Sequence, residues 1–298
     1  MSSLICTIKK IGIICVFYKF FGRLCPKDSG ITSACDRIGA YRYLMKYKHI
    51  LKQTVLPLNE NRIKKDIIWL CWLQGYDNAP PLVQKCRESV LKHNPDMSII
   101  ILDNSNLDKY IQLPKQIKFK HDIGIIPHAH YTDIIRISLL AQYGGTWIDA
   151  TAFATAPLPD YIRESELFCF KRVPLGKCVG SNWLISAAPN NPIILQMRSL
   201  LFCYWKNENK LISYSIFHLF WSMIIELNET NNLLWNNVPY FDDINCNILQ
   251  MELFNLFSSK RFLQIMEMSP IHKLTYKFEE DATLQDSTFY KFIINVNQ

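Results

Sequence analysis

With 298 residues, 49% of them hydrophobic and 20% charged, the chain has apolar matter for one large core or two small ones, which speaks against a disordered or fibrous polypeptide. Its net charge of +7 is moderate and spread along the sequence, and no RNA- or DNA-module signature occurs; this suits a small anionic substrate or an anionic surface, not a nucleic-acid groove. Ten cysteines, at 6, 15, 25, 35, 71, 86, 169, 178, 203 and 246, show no C-x-x-C and no regular spacing, which argues against zinc ribbons and disulfide scaffolds and fits a reducing, cytoplasmic setting.

In chain order, residues 1–62 read as a helical, basic N-terminal segment and residues 63–298 as the main domain. Lys9 and Lys10 precede an apolar run, Ile11 to Phe21, which Lys19 interrupts and which is too short to span a bilayer. Phe20, Phe21, Gly22 and Arg23 offer no small-residue cleavage site. Two readings stand: a helix packed on the domain, or an interfacial helix that Lys9, Lys10, Lys19 and Arg23 hold against the inner face of a membrane. Asp66 to Leu73 is a strand, apolar on both faces as in a parallel sheet covered on two sides. Pro80 and Pro81 open a helix that runs to about His93, and Met97 to Leu102 is a second buried strand. This β-α-β unit predicts a parallel pair. A short helix spans Leu107 to Ile111.

Ile134, Ile135, Ile137, Leu139, Leu140 and Ala141 then make one broad apolar helix face, and Gly144 and Gly145 can take the positive φ that ends a helix. Trp147 and Ile148 form a strand that the chain leaves at Asp149. Beyond Thr151, Leu167 to Phe170 and Trp183 to Ala187 read as strands, and Pro192 to Tyr204 and Ile212 to Leu227 as helices on the acceptor side of a cleft. Strands alternating with helices predict an α/β sheet. No G-x-G-x-x-G and no P-loop occurs among the ten glycines, so the usual dinucleotide and NTPase fingerprints are missing.

Asp149 sits at the carboxyl end of a buried strand, where open α/β sheets bind ligands; the bland alternative is a turn cap. Asp133 and Arg136, three apart, are helix neighbours, either holding a ligand or paired on a solvated face. Trp72 and Gln74, past the first strand's end, can stack on and hydrogen-bond a base, or Trp72 can be core. His128 and His130 form an H-x-H that could hold zinc in a metal-dependent phosphohydrolase. That motif continues H-x-D-H, however; Asp133 comes one place late and Ile134 stands where the histidine belongs. The preferred expectation is a loop before the helix, lining the cleft.

Thr132, Asp133, Arg136, Gly144, Gly145, Trp147, Asp149 and Thr151 together resemble the glycosyltransferases with DXD sugar motifs, in particular glycosyltransferase family 32 and the capsular polysaccharide synthesis proteins. Two more blocks, Ile67 to Cys86 and Ile271 to Lys277, look like the capsular family, so the resemblance covers about Asp66 to Lys277. It implies a GT-A-like, Rossmann-type mixed and mostly parallel sheet flanked by helices. It also implies transfer of a sugar, with retention, from a nucleotide-sugar donor such as a UDP-sugar to a capsular, surface-glycan or lipid-linked acceptor. In that reading Asp149 and Arg136 are catalytic, and Trp72, Gln74, Asp133, Arg136, Trp147, Asp149 and Lys273 bind the donor. Asp149, Thr151 and His272 would hold Mn²⁺ or Mg²⁺, although Thr151 stands where the pattern often has a second acid. That departure also leaves room for a degenerate, glycan-binding fold without catalysis.

Overall fold

The computed structural model describes residues 13–24, 31–54, 66–173 and 178–295. Three helices come first: α1 (Ile13–Leu24), α2 (Ile31–Leu44) and α3 (His49–Gln53). The expected β-α-β unit follows as β1 (Ile67–Cys71), α4 (Pro81–His93) and β2 (Ser98–Leu102). Next come α5 (Lys115–Asp122), α6 (His128–Tyr143), β3 (Gly145–Ile148) and β4 (Ala152–Ala154). The second half holds α7 (Asp160–Arg163), β5 (Leu167–Arg172), β6 (Val179–Ala187), α8 (Pro192–Asn207), α9 (Ile216–Glu226) and α10 (Glu229–Asn237). It closes with α11 (Ile248–Met251), α12 (Ser259–Met268), β7 (Ile271–Lys273) and α13 (Phe289–Asn295). The helix expected from Ile212 starts only at Ile216, whose amide donates to Ser213 O in a preceding turn.

Five strands form the main sheet in the order β2-β1-β3-β6-β5. β1 is parallel to β2 and β3, while β6 runs antiparallel to β3 and β5. All strands but β6 therefore point one way, which is the mixed, mostly parallel α/β sheet expected. Alternation along β1 sends Trp69 and Cys71 to one face and Ile68 and Leu70 to the other, and all four are buried. On the first face they join Trp147 and Ile185 in the core with α6, α8 and α9; on the second they join Ile148 and Leu184 with α4 and β4. Two-sided burial is why IIWLC carries no polar residue.

The chain turns from α6 into β3 within two glycines. Gly144 (φ 68°) ends the helix, and its carbonyl accepts from Trp69 Nε1 at 2.9 Å. Gly145 (φ 91°) opens β3 so close to β1 that a Cβ there would fall 2.6 Å from Ile67 O.

The N-terminal helices belong to this body. Ala40, Leu44, Tyr47 and Leu51 enter the main core. Glu208, just past α8, accepts from Tyr43 Oη (2.8 Å), Lys46 Nζ (2.6 Å) and Tyr47 Oη (2.7 Å). Buried Lys120 caps the same helix end by donating to Trp205 O (2.6 Å) and Glu208 O (2.9 Å). α1 packs on α2, where Thr32 Oγ1 donates to Gly22 O at 2.7 Å, and leaves Ile13, Phe17 and Phe20 exposed. Lys9 and Lys10, and the side chains of Lys19 and Arg23, lie outside the described residues. Among the described residues no helix is long and apolar enough to cross a membrane.

Gly145→Ala combines a positive φ with a backbone clash, so it should destabilise the fold by roughly 2 kcal/mol or more. Urea unfolding reads this directly; a loss below about 0.5 kcal/mol would mean that β3 does not depend on this close approach.

Candidate active site

Asp149 is where β3 leaves the sheet, and a tight turn folds the chain back at once. The Asp149 amide donates to Trp183 O at 2.8 Å, extending the ladder to β6, and the Ala152 amide donates to Asp149 O at 2.9 Å. The turn delivers β4, which pairs antiparallel with β7 in the register Ala152↔Lys273, Phe153↔His272 and Ala154↔Ile271. The Leu274 amide closes the end of the ladder on Thr151 O at 2.8 Å. That register brings Lys273, 124 residues along the chain, to Asp149: Nζ donates to Asp149 Oδ2 at 2.7 Å and also contacts Thr151 Oγ1.

Helix α6 supplies the second cation. It is buried nearly all round, so Asp133 and Arg136, 3% and 4% exposed, face no solvent and need partners. Arg136 Nη2 reaches Asp149 Oδ1 at 3.3 Å, Nε lies 3.3 Å from Asp133 Oδ1, and Nη1 donates to Asn182 O. Asn182 Nδ2 donates to Asp133 Oδ1 at 2.9 Å. The ring of Trp147 lies under the guanidinium, 5.0 Å away. Trp147 is fully buried and thus supports Arg136 from below instead of lining the opening. The solvated-face reading of the Asp133–Arg136 pair does not hold, because α6 is an interior helix.

Above this network lies a cleft of about 330 Å³ lined by Asp133, Arg136, Asp149 and Lys273 together with Arg172, Asn182, Tyr214, His218 and Asp243. Asp149 keeps 26% of its side chain accessible there. Each carboxylate in the lining has a cation: Asp243 is 2.8 Å from Arg172 Nε. Burial disfavours charge on Asp149, but Lys273 and then Arg136 outweigh it and hold the carboxyl below its ordinary range. Burial pushes the Asp133 carboxyl the other way, up to about 6, against the pull of Arg136 and the Asn182 hydrogen bond.

Several expected residues sit elsewhere. Trp72 is half-buried, edge-on to Tyr276 with ring centres 5.4 Å apart, and neither it nor exposed Gln74 is part of the cleft lining. His128 and His130 occupy the first turn of α6, which follows Pro127 directly, so they do not form a preceding loop. Two positions apart on a helix, they point away from each other. His128 meets His121 on the surface (3.0 Å between ring nitrogens), while His130, 3.7 Å from Asp133, does line the cleft as expected, but from the helix and not from a loop. They cannot share a zinc ion, which removes the structural basis of the phosphohydrolase reading.

The residues expected to hold Mn²⁺ or Mg²⁺ do not fit a divalent ion. The Lys273 ammonium touches both Asp149 and Thr151, so a positive charge already stands where a shared divalent ion would have to come within about 2.0–2.6 Å of their oxygens. His272 cannot complete the set, because neighbours on a strand face opposite sides. It is fully buried, with Nε2 3.3 Å from Thr155 Oγ1. Burial lowers its imidazole to about 4. Among the described residues no three His, Cys, Asp or Glu side chains converge on a point.

Asn182, Arg172, Tyr214, His218 and Asp243 also line the cleft but do not announce themselves in the sequence. Only Asn182 carries a signal, as the amide within the apolar strand VGSNWLISA.

The raised Asp133 carboxyl has a stability consequence. A carboxyl whose folded pKa lies above the unfolded value of about 3.9 contributes stability that is present at low pH and lost as pH rises, here through about 6. Asp133→Asn keeps the shape and an acceptor oxygen, so its stability relative to the parent should increase between pH 4 and pH 7. Urea midpoints across that range test this, and a difference that shrinks with rising pH would contradict it.

The profile described as capsular polysaccharide synthesis protein matches residues 40–293. Among curated proteins the chain is similar to an O-glycosyltransferase of Annulohypoxylon truncatum, 33% identical over 115 residues, 36% of this chain and 26% of that protein. It is similar to a protein of Acanthamoeba polyphaga mimivirus described as an uncharacterized glycosyltransferase, 24% identical over 196 residues, 61% and 76% of the two chains. It is also similar to an initiation-specific alpha-1,6-mannosyltransferase of Candida albicans, 25% identical over 182 residues, 57% and 46% of the two. The alignment thus spans about a quarter of the first relative's length and under half of the third's. Among solved structures the PaToxG glycosyltransferase aligns at a TM-score of 0.43 and 14% identity, covering 87% of this chain and 96% of that one. With 40–293 matched, the chain belongs to the capsular polysaccharide synthesis protein family.

Proposed function

We propose that the protein is a glycosyltransferase that moves a sugar from a nucleotide-sugar donor to a glycan acceptor. The observation that carries this reading is Asp149 clamped between Arg136 and Lys273 at the carboxyl end of β3, in an open cleft. Leaving of a nucleoside diphosphate builds negative charge on phosphate oxygens, and preorganised cations stabilise that charge most where water is scarce. Arg136 suits this because its guanidinium is permanently charged and already oriented. Asp149 holds both cations in place and can accept hydrogen bonds from donor-sugar hydroxyls.

A UDP-sugar suits the site if the base rests against the Trp72–Tyr276 pair, three residues past Lys273, with its diphosphate over the lysine. Transfer with retention is favoured because Asp133, Asp149 and Asp243 are each neutralised by a cation, leaving none of them as the free general base an inverting attack needs.

The acceptor belongs in a second cleft of about 570 Å³, which shares Arg172, Tyr214 and His218 with the first. Arg37, Arg42 and Arg172 among apolar neighbours such as Ile38 and Leu219 match an acceptor with a phosphate and an apolar part, such as a lipid-linked glycan. The exposed Ile13, Phe17 and Phe20 of α1 would then rest on the membrane's cytoplasmic face.

A donor panel tests the function: one nucleotide sugar should be consumed, with anomeric configuration kept in the product by NMR. Asp149→Asn should reduce turnover by roughly a hundredfold while leaving the circular dichroism unchanged. A folded variant with near-parent turnover would remove Asp149 from the mechanism. For the acceptor, Arg37→Ala should raise the KM for a lipid-phosphate acceptor in anionic liposomes by roughly tenfold or more, about the worth of one charged contact. Slow donor hydrolysis should not change. An unchanged KM would move the acceptor out of this groove.

A further inference from the structure

We infer that Lys273 is a built-in cation that takes the place of a divalent metal at the donor diphosphate, so that the donor binds without metal. This rests on the reading of the cleft as a nucleotide-sugar site. Three observations lead to it.

The first is position. Lys273 Nζ bridges Asp149 Oδ2 and Thr151 Oγ1, the side chains at the two positions that would hold a metal in a D-x-D motif. The second is charge. Two acids and a divalent ion are neutral together, and so are one acid and one ammonium. With a hydroxyl at Thr151 and an ammonium at Lys273, the diphosphate therefore meets the same local charge as it would beside paired acids and a divalent ion. Thr151 keeps only the hydroxyl needed to receive one Nζ proton. With two protons placed on Asp149 and Thr151, a third is left for a phosphate oxygen.

The third is rigidity. The ammonium reaches the site from a strand held at both ends: Leu274 N donates to Thr151 O at 2.8 Å, and Thr155 N to Pro270 O at 2.9 Å. The lysine side chain is only 22% accessible, so it is held against the turn, not swinging in solvent. Arg136, on the other oxygen of Asp149, provides a second fixed charge. A resident ammonium needs no metal to be captured before the donor, and it remains when the nucleoside diphosphate leaves.

The test is calorimetry of UDP, GDP and inorganic pyrophosphate with the full chain, in excess chelator and in Mn²⁺, with Mn²⁺ binding read separately by electron paramagnetic resonance. At least one diphosphate should bind with the same affinity, within about threefold, in both buffers, and the Mn²⁺ spectrum should stay that of the free ion. In chelator, Lys273→Met should weaken that binding by roughly ten- to a hundredfold, the worth of a charge-assisted hydrogen bond, and Lys273→Arg should weaken it less. Thermal unfolding checks that both variants fold. The double substitution Thr151→Asp with Lys273→Ala, which rebuilds the paired acids, should bind the diphosphate only when Mn²⁺ is present. Parent protein that binds a diphosphate in Mn²⁺ but more than tenfold weaker in chelator would overturn the inference. So would a folded Lys273→Met variant of unchanged affinity. If no diphosphate binds in either buffer, the nucleotide-sugar reading fails and takes the inference with it, a result distinct from metal-dependent binding.

Discussion

The Asp149 carboxylate, at the point where β3 leaves the sheet, is the group on which the rest of the site depends. It receives Arg136 from the helix before it and Lys273 from a strand far along the chain. Opposite charges a few ångströms apart attract strongly once water is thinned out, and a partly open carboxylate with two cations stays ionised where a lone buried one would take up a proton. Removing either cation would leave Asp149 under-compensated, and removing Asp149 would leave two positive charges facing each other across a small cleft. The three groups therefore act as one unit, and their individual contributions are not additive.

Beneath that unit lies a second, drier layer. Asp133, Arg136 and Asn182 satisfy one another inside a helix–strand interface, over the face of Trp147. Such networks are a weak source of stability, because desolvating the charges offsets most of their attraction, yet breaking one partner away is costly. Their evident role here is positional. Arg136 is held at Nε, Nη1 and Nη2, so its guanidinium plane is set before any ligand arrives. The opposite pushes on the two acids, Asp133 upward and Asp149 downward, come from the same asymmetry: one has no solvent and one strong cation, the other has a partly open face and two.

Local features of the sequence carried much of this. The Gly-Gly break, the apolar runs of β1 and β2 and the α6 face are encoded within a dozen residues each, by periodicity and by backbone demands that only glycine meets easily. They were readable, and so was Asp149 at a strand end. What could not be read is pairing at a distance. Nothing near Lys273 says that it meets Asp149, since that contact is set by the β4–β7 register and not by spacing. Trp147 looked like a ligand because it lies within the motif; as a β3 residue alternating into the core, it is a support. His128 and His130 stand as an H-x-H in sequence, and helix spacing separates them. The lining from Arg172, Tyr214, His218 and Asp243 is assembled from three separate segments, so no single window of sequence holds it.

The register of β7 also decides what chemistry the site can have. His272 and Lys273 are neighbours with opposite orientations, so one faces the cleft and the other the interior. A slip of one residue would exchange them, putting an imidazole beside Asp149 and an ammonium into the pocket beside Thr155. The present register is favoured from both sides. A neutral imidazole is tolerated in the interior, where burial already lowers its pKa to about 4, whereas an ammonium buried there without a carboxylate would be far more costly. The ammonium at Asp149 is thus selected twice, by its attraction to the carboxylate and by the exclusion of the alternative. A histidine next to the site in sequence is, for the same reason, kept out of it in space.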